Sequence, residues 1–384
     1  MQPTLQSTSV GHFNQCKMRI RSILFAILAI LIVGCTDDQP SKRGGKRPTQ
    51  ESAGSSFRIR LLNAQGLTYG DSLHFEVKSD SPDQSIAKME ISGKDDKQSV
   101  VTVSKNNFKV ASDLIGGGEV RLKFKAIYED GKATTRYKEV VIKPTSKPAE
   151  WKFDVVHKYP HDVSAYTQGF LVYNGFIYEG TGNYGESKLR KLDLTTGETV
   201  QEKNLSEDIF GEGITIFNDK IYQVTYKSGR GFVYDRASFA QLDEFSYYTE
   251  TSEGWGLTHN DTSLILSDGS SLLYFINPTT MEVEKRLNIF DENGNVTRLN
   301  ELEFIDGRIY ANVYTEAYIV ELDAATGQVI SRYSALGIVD RSEANSNMDV
   351  LNGIAIHPLT GNLLLTGKYW SKIYEVKPVP LQGS

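Results

Sequence analysis

From Trp151 to the C-terminus, apolar and polar positions follow one repeating plan. Phe210–Tyr226 shows it most clearly: an acid set in glycines, an apolar run, an Asn-Asp turn, and a second apolar run ending in an aromatic. Gln168–Gly182, Gly254–Ser270, Asn300–Tyr314 and Asn352–Tyr369 copy it. Their starts fall every 42 to 52 residues, the spacing of propeller blades. Each copy is followed by a third apolar run, such as Gly231–Asp235 or Tyr318–Asp323, and the turns after it lead to a fourth strand. Four antiparallel strands in each of five repeats predict a five-bladed β-propeller over residues 150–380. The last copy stops after its third strand, so Lys152–Lys158 is expected to complete the fifth blade and remove the open edge. A four-bladed ring with an irregular segment is the alternative.

Upstream, Phe57–Lys143 alternates in the strand period through FRIRLL, DSLHFEVKS, KMEISG, SVVTVS, FKVAS, EVRLKFKAIYE and TTRYKEVVIKP. Such short strands between Gly, Asp, Ser and Asn turns predict an immunoglobulin-like β-sandwich over 57–146, without the Cys, Trp, Cys framework of antibody domains. The chain is thus expected to be all-β. The sandwich carries no chemical constellation, and a spacer or adhesion role is expected of it.

The N-terminus changes the picture. Arg19 and Arg21 precede the apolar run Ile23–Val33, which closes on Ile32-Val33-Gly34-Cys35. A run of about 11 residues is short for a span that needs roughly 20, so 1–35 reads as a signal segment ending in a lipobox. Cys35 would be lipidated as the first mature residue, with translation starting at Met18. The other cysteine, Cys16, lies upstream, leaving no pair for a disulfide. Residues 36–56 are polar, Pro- and Ser-containing and without apolar period, as in a flexible tether. The expectation is an exported bacterial lipoprotein, membrane-anchored through lipid on the periplasmic or outer side, and monomeric.

Charge excludes one class. A formal charge of −6 and no basic stripe interleaved with aromatics argue against nucleic-acid binding.

Chemistry is expected on one rim of the ring. The start of each first strand and the end of each second strand meet there, because the two strands are antiparallel neighbours. The first-strand starts are Gln168, Glu212, Trp255, Asn300 and Asn352; the second-strand ends are Gly182, Tyr226, Ser270, Tyr314 and Tyr369, with Lys368 beside the last. Tyr166 and Phe210 lie just upstream of two first strands. Calcium takes several carboxylate oxygens, and this rim has Glu212 as its clear acid, with Glu301 a weaker candidate. The six histidines are scattered, without a zinc spacing, and read as surface or turn residues. No metal and no cofactor is therefore expected. Aromatic rings, carboxamides and one acid suit a small ligand carrying a cation and an amide, such as an N-terminal amino acid. Residues that merely cap the channel are the plainer alternative.

At these residues the sequence closely resembles the glutaminyl-peptide cyclotransferases of the plant and bacterial type, the glutamine cyclotransferase family. The motifs are TQGF (167–170), YGESKLR (184–190), FGEGIT (210–215), IYQVTYKSGRGFVYD (221–235), GWGL (254–257), LSDGSSLLY (266–274), RLNELEF (298–304), LNGIA (351–355) and TGKYW (366–370), in order over Phe153–Val376. The resemblance implies a five-bladed propeller that cyclises the N-terminal glutamine of a peptide or protein to pyroglutamate, releasing ammonia without a catalytic metal. It implies Glu212 as general acid and base, with Asn300 and Lys368 in the chemistry and Gln168, Phe210 and Trp255 around the substrate. Tyr166, Tyr226 and Tyr314 stand where the plant enzymes carry a Phe and two Trp, so ring character is kept and hydroxyls are added. A non-catalytic lipid-anchored propeller binding peptides or glycans, and a metal-dependent propeller hydrolase, are the rival readings.

Overall fold

The computed structural model describes residues 56–63, 66–93, 98–102 and 106–381. The expected signal segment, Cys35 and nearly all of the expected tether lie outside them. No helix among the described residues is long and apolar enough to cross a membrane. The described chain is β-structure throughout, apart from one 3-10 turn at Ser112–Leu114.

The N-terminal part forms two antiparallel sheets. One has three strands, in the order Phe57–Leu61, Ser72–Ser79, Asn107–Ala111; the other has four, in the order Gln98–Thr102, Ile86–Ser92, Gly118–Tyr128, Ala133–Ile142. Alternation decides which side chains meet: Leu73, Phe75 and Val77 of one sheet and Met89, Ile91, Leu122 and Phe124 of the other share one buried cluster. The Phe75 ring lies 5.2 Å from Phe108 and 5.1 Å from Phe124.

The four-stranded sheet also packs against the C-terminal part of the chain. Gly117 and Gly118 leave room for Phe290, whose ring atoms would lie 2.0 Å from a Cβ on Gly117. Asn288 Nδ2 donates to Gly117 O at 2.8 Å, and Glu119 N donates to Asn295 Oδ1 at 2.9 Å.

The C-terminal part has a β-propeller-like arrangement. Three separate four-stranded antiparallel sheets start at Thr167–Tyr173, Gly211–Phe217 and Leu257–His259. An eight-stranded sheet then runs from Leu299–Ile305 through Val329–Ser334, Ala149–Pro160 and Lys372–Pro380 to Leu351–Ile356. Ala149–Pro160 is the strand expected around Lys152–Lys158. It pairs antiparallel with Lys372–Pro380 and parallel with Val329–Ser334. The first strands neighbour one another in a closed cycle, Leu351–Ile356 returning to Thr167–Tyr173. Burial follows this order: every residue of Gly211–Phe217 is buried, whereas the outer strand Gln241–Ser246 is nearly all exposed.

Local chemistry fixes the hairpins. Between first and second strands, Asn174-Gly175, Asn218-Asp219 and Asp306-Gly307 all have positive φ at both central positions. That is the twist-matching geometry of two-residue hairpins, which Asn, Asp and Gly tolerate. Between third and fourth strands an acid or amide closes the turn: Asp193 Oδ1 accepts from Thr195 N and Thr196 N, and Asp323 Oδ1 from Ala325 N and Thr326 N.

Candidate active site

Four of the five positions read as first-strand starts prove to be β-bulges, and the fifth, Trp255, lies two residues before its strand. Register slips between Gly211 and Ile214, between Leu299 and Leu302, and between Leu351 and Ile354. In the first sheet it slips so that Gln168 is the extra residue between Thr167 and Gly169. A bulge turns an extra side chain out of the pleat. Here it aims Gln168, Glu212, Asn300 and Asn352 toward the axis. Glycine follows Gln168, Glu212, Trp255 and Asn352, and close approach requires it: a Cβ on Gly213 would lie 2.4 Å from Leu257 N, and one on Gly256 would lie 1.9 Å from Asn300 O.

Nine of the expected residues line one cavity of about 210 Å3: Tyr166, Gln168, Phe210, Glu212, Tyr226, Trp255, Asn300, Tyr314 and Lys368. Cys35, expected to carry the lipid, lies outside the described residues. Glu212, Gln168, Asn300 and Lys368 are all buried. They form a polar chain: Lys368 Nζ donates to Gln168 Oε1, and Gln168 Nε2 donates to Glu212 Oε1 at 3.1 Å. Asn352 Nδ2 also donates to Gln168 Oε1, at 3.2 Å. Asn300 Oδ1 is buried with no partner.

Burial sets the electrostatics. It holds the Glu212 carboxyl well above the ordinary carboxylate range; Lys368 opposes this and Glu253 adds to it. Burial likewise lowers Lys368, to about 8, against the pull of Glu212 and Asp349. The two charges do not touch, since the Gln168 amide stands between them. Around them the rings make a cage. Tyr166 and Phe210 are nearly perpendicular at 6.1 Å, Phe210 lies 5.5 Å from Tyr226, and Trp255 meets Tyr314 edge-on at 5.5 Å. Lys368 Nζ sits 4.1 Å from the Tyr166 ring centroid.

Residues 127–378 match the profile of the family described as glutamine cyclotransferase. The chain belongs to the glutamine cyclotransferase family. It is 36% identical over 231 residues to the glutaminyl-peptide cyclotransferase of Arabidopsis thaliana, a match that spans 59% of this chain and 71% of that one. Its structure is similar to the crystal structure of Myxococcus xanthus glutaminyl cyclase, with a TM-score of 0.55 and 30% identity, over 62% of this chain and 100% of the other. The family match begins inside the N-terminal sheets, at the end of strand Gly118–Tyr128, and ends in Lys372–Pro380.

Several expectations need correction for this member of the family. Glu301 is not a rim acid. It stands where the other repeats have glycine, is 1% exposed, and does not line the cavity. Its Oε1 accepts from Phe170 N at 3.3 Å and its Oε2 from Ile354 N at 2.8 Å, linking three inner strands across the axis. Replacing Glu301 by alanine leaves both buried N–H groups unpaired and is expected to cost about 3 kcal/mol of stability, read by denaturant unfolding; an unchanged midpoint would contradict it. The histidines are not all superficial either. His161 has a fully buried side chain, donating from Nδ1 to Trp370 O at 2.8 Å and meeting Glu179 Oε1 through Nε2 at 3.0 Å. His357 is also buried. Burial opposes a charge on His161, but the Glu179 carboxylate raises it above its ordinary value. No group of three or more His, Cys, Asp or Glu among the described residues is placed to hold a metal.

Sequence reasoning placed Asn352 on the rim without its role and missed two contributors, Tyr184 and Glu253. Asn352 acts on Gln168 rather than on the cavity. Tyr184 extends the cage, 5.4 Å from Phe210. Glu253, two residues before Trp255, accepts from Trp255 Nε1 at 2.9 Å; its only sequence signal is an acid directly before GWGL.

Proposed function

We infer that this chain is a glutaminyl-peptide cyclotransferase, converting the N-terminal glutamine of peptides or proteins to pyroglutamate with release of ammonia. The observation that carries the reading is one buried carboxyl, Glu212, raised by burial and set among rings and carboxamides in a cavity sized for one residue. The substrate's α-nitrogen attacks its own γ-carboxamide carbon, closing a five-membered lactam. One proton leaves the attacking nitrogen, and one must reach the departing NH2, which leaves as ammonia. Glu212 serves both steps: as carboxylate it takes the first proton, and as acid it returns it.

With ordinary values, about 4.3 for Glu and 7.7 to 8.0 for an α-amine, that first transfer is uphill by about 5 kcal/mol. Raising Glu212 shrinks this gap. Gln168 serves as the spacer between Lys368 and Glu212, so the lysine does not quench the acid by direct contact. The Gln168 amide is already engaged, its Oε1 accepting from Lys368 and Asn352 and its Nε2 donating to Glu212, which leaves the oxyanion to other donors. The remaining Lys368 N–H groups are the donors for the oxyanion, and the unpartnered Asn300 Oδ1 accepts an N–H of the reacting α-amine. The rings exclude water and hold the substrate's aliphatic stem. The non-catalytic rival leaves the raised Glu212 unexplained.

The test is mass spectrometry of a Gln-initiated peptide after incubation with the chain. The peptide is expected to lose the mass of one ammonia, and an Asn-initiated peptide to stay intact. Loss of ammonia from an Nα-acetylated Gln peptide would overturn the reading, since that peptide has no attacking amine.

The repeats are read as a five-bladed β-propeller over 150–380, supported by the cyclic order of the first strands. The two packed sheets over 57–146 are read as an immunoglobulin-like sandwich, acting as a spacer. The first 35 residues are read as a signal segment and 36–56 as a tether, giving a monomeric lipoprotein anchored through Cys35 on the periplasmic or outer side. Cys35→Ser is expected to move the protein from the membrane to the soluble fraction with activity kept; unchanged membrane fractionation would count against the anchor.

A further inference from the structure

We propose that Glu253, outside the cavity, is a positioning residue for cyclisation: its two carboxylate oxygens hold Trp255 and, through Lys227, Tyr226 in the cavity wall. The inference rests on the cyclotransferase reading. Oε2 accepts from Trp255 Nε1 at 2.9 Å, while Oε1 lies 3.4 Å from Lys227 Nζ. That Nζ sits 4.5 Å from the Tyr226 ring centroid. One carboxylate thus anchors two wall rings that belong to neighbouring repeats.

The loop around Glu253 is itself pinned. Thr249 Oγ1 donates to Glu253 O at 2.8 Å, and Gly254 N donates to Tyr226 O at 3.0 Å. Trp255 is fixed on its other sides: one face lies over Gly269, where a Cβ would come within 2.7 Å of the ring, and Tyr314 meets it edge-on. The indole N–H therefore has Glu253 as the partner that sets the ring's rotation. A glutamine there has one acceptor oxygen instead of two. With that oxygen on the Trp255 N–H, the amide NH2 faces Lys227 and cannot accept from it.

Glu253 also reaches Glu212 through space. The charged groups acting on Glu212 are Lys368, which favours its ionisation, and Glu253, which disfavours it. Gln168 donates to it, and the hydroxyls of Tyr166 and Tyr247 are nearby. Removing the Glu253 charge lets Glu212 ionise at lower pH. The acid limb of kcat/KM should then move down.

The experiment compares full-length wild type, Glu253→Ala and Glu253→Gln in turnover of a Gln-initiated dipeptide across pH, with acrylamide quenching of tryptophan fluorescence on the same samples. Glu253→Ala is expected to raise KM about tenfold with kcat nearly kept, the signature of lost ground-state positioning, and to increase quenching. Glu253→Gln, nearly isosteric, should recover most of the KM while its acid limb lies below that of wild type. Equal KM, acid limb and quenching in all three proteins would overturn the proposal. So would equal losses in both variants without a pH shift, because a merely structural role gives that pattern. If wild type itself releases no ammonia, the cyclotransferase reading fails, and quenching still decides whether Glu253 fixes Trp255. If Glu253→Ala does not fold, the pH limb of Glu253→Gln carries the test.

Discussion

Glu212→Gln is expected to lower kcat for ammonia release from a Gln-initiated dipeptide by about a thousandfold, the range for removing a general acid–base group. KM should change little. The glutamine fills the same volume, and its amide oxygen can still accept from Gln168 Nε2, now 3.1 Å from Glu212 Oε1. What is lost is the capacity to take a proton from the α-amine and return it to the departing nitrogen. No other carboxyl among the described residues lines the cavity. Glu301, although buried nearby, is tied to Phe170 N and Ile354 N and cannot substitute. Near wild-type turnover would remove Glu212 from the chemistry.

The second large effect is expected at Lys368. Methionine there keeps most of the volume and removes the charge, leaving Gln168 Oε1 with Asn352 alone. Losing one oxyanion donor typically costs about a hundredfold in kcat or more. The pH profile should change in shape as well. Glu212 is active as carboxylate, above its own pKa, and burial has already carried that pKa above the usual range. Lys368 works against that rise, so Lys368→Met should move the acid limb of kcat/KM to still higher pH. In wild type the lysine, lowered by burial to about 8, is expected to set an alkaline limb as it loses its proton. The variant should lack that limb. A variant whose profile keeps both limbs where wild type has them would show that Lys368 is not coupled to Glu212.

Much of this site was legible from the chain because repeats allow comparison of equivalent positions. Turn pairs such as Asn174-Gly175 and Asn218-Asp219 fix where each hairpin folds, and that alone aligns Gln168, Glu212, Trp255 and Asn300 on one rim. The fold's hairpins were readable for the same reason, since positive φ at two successive residues has few sequence solutions. The bulges were not readable. They depend on how neighbouring first strands pack at the axis, and a Gly such as Gly213 or Gly256 looks like any other until the adjoining backbone lies within reach of its Cβ.

Partners across repeats were equally hidden. Lys368 and Gln168 are far apart in sequence, and only ring closure makes them neighbours. The burial of His161 follows from Glu179 and Trp370 coming together around it, which spacing cannot disclose. Glu301 deceives for a related reason: its rim-like place in the sequence repeat says nothing about depth along the axis.

The most direct measurement is ammonia release from a Gln-initiated dipeptide by the full-length protein, with and without a strong chelator. Equal turnover in both conditions is the predicted result. No release in either, or release lost to the chelator and restored by calcium, would contradict the account.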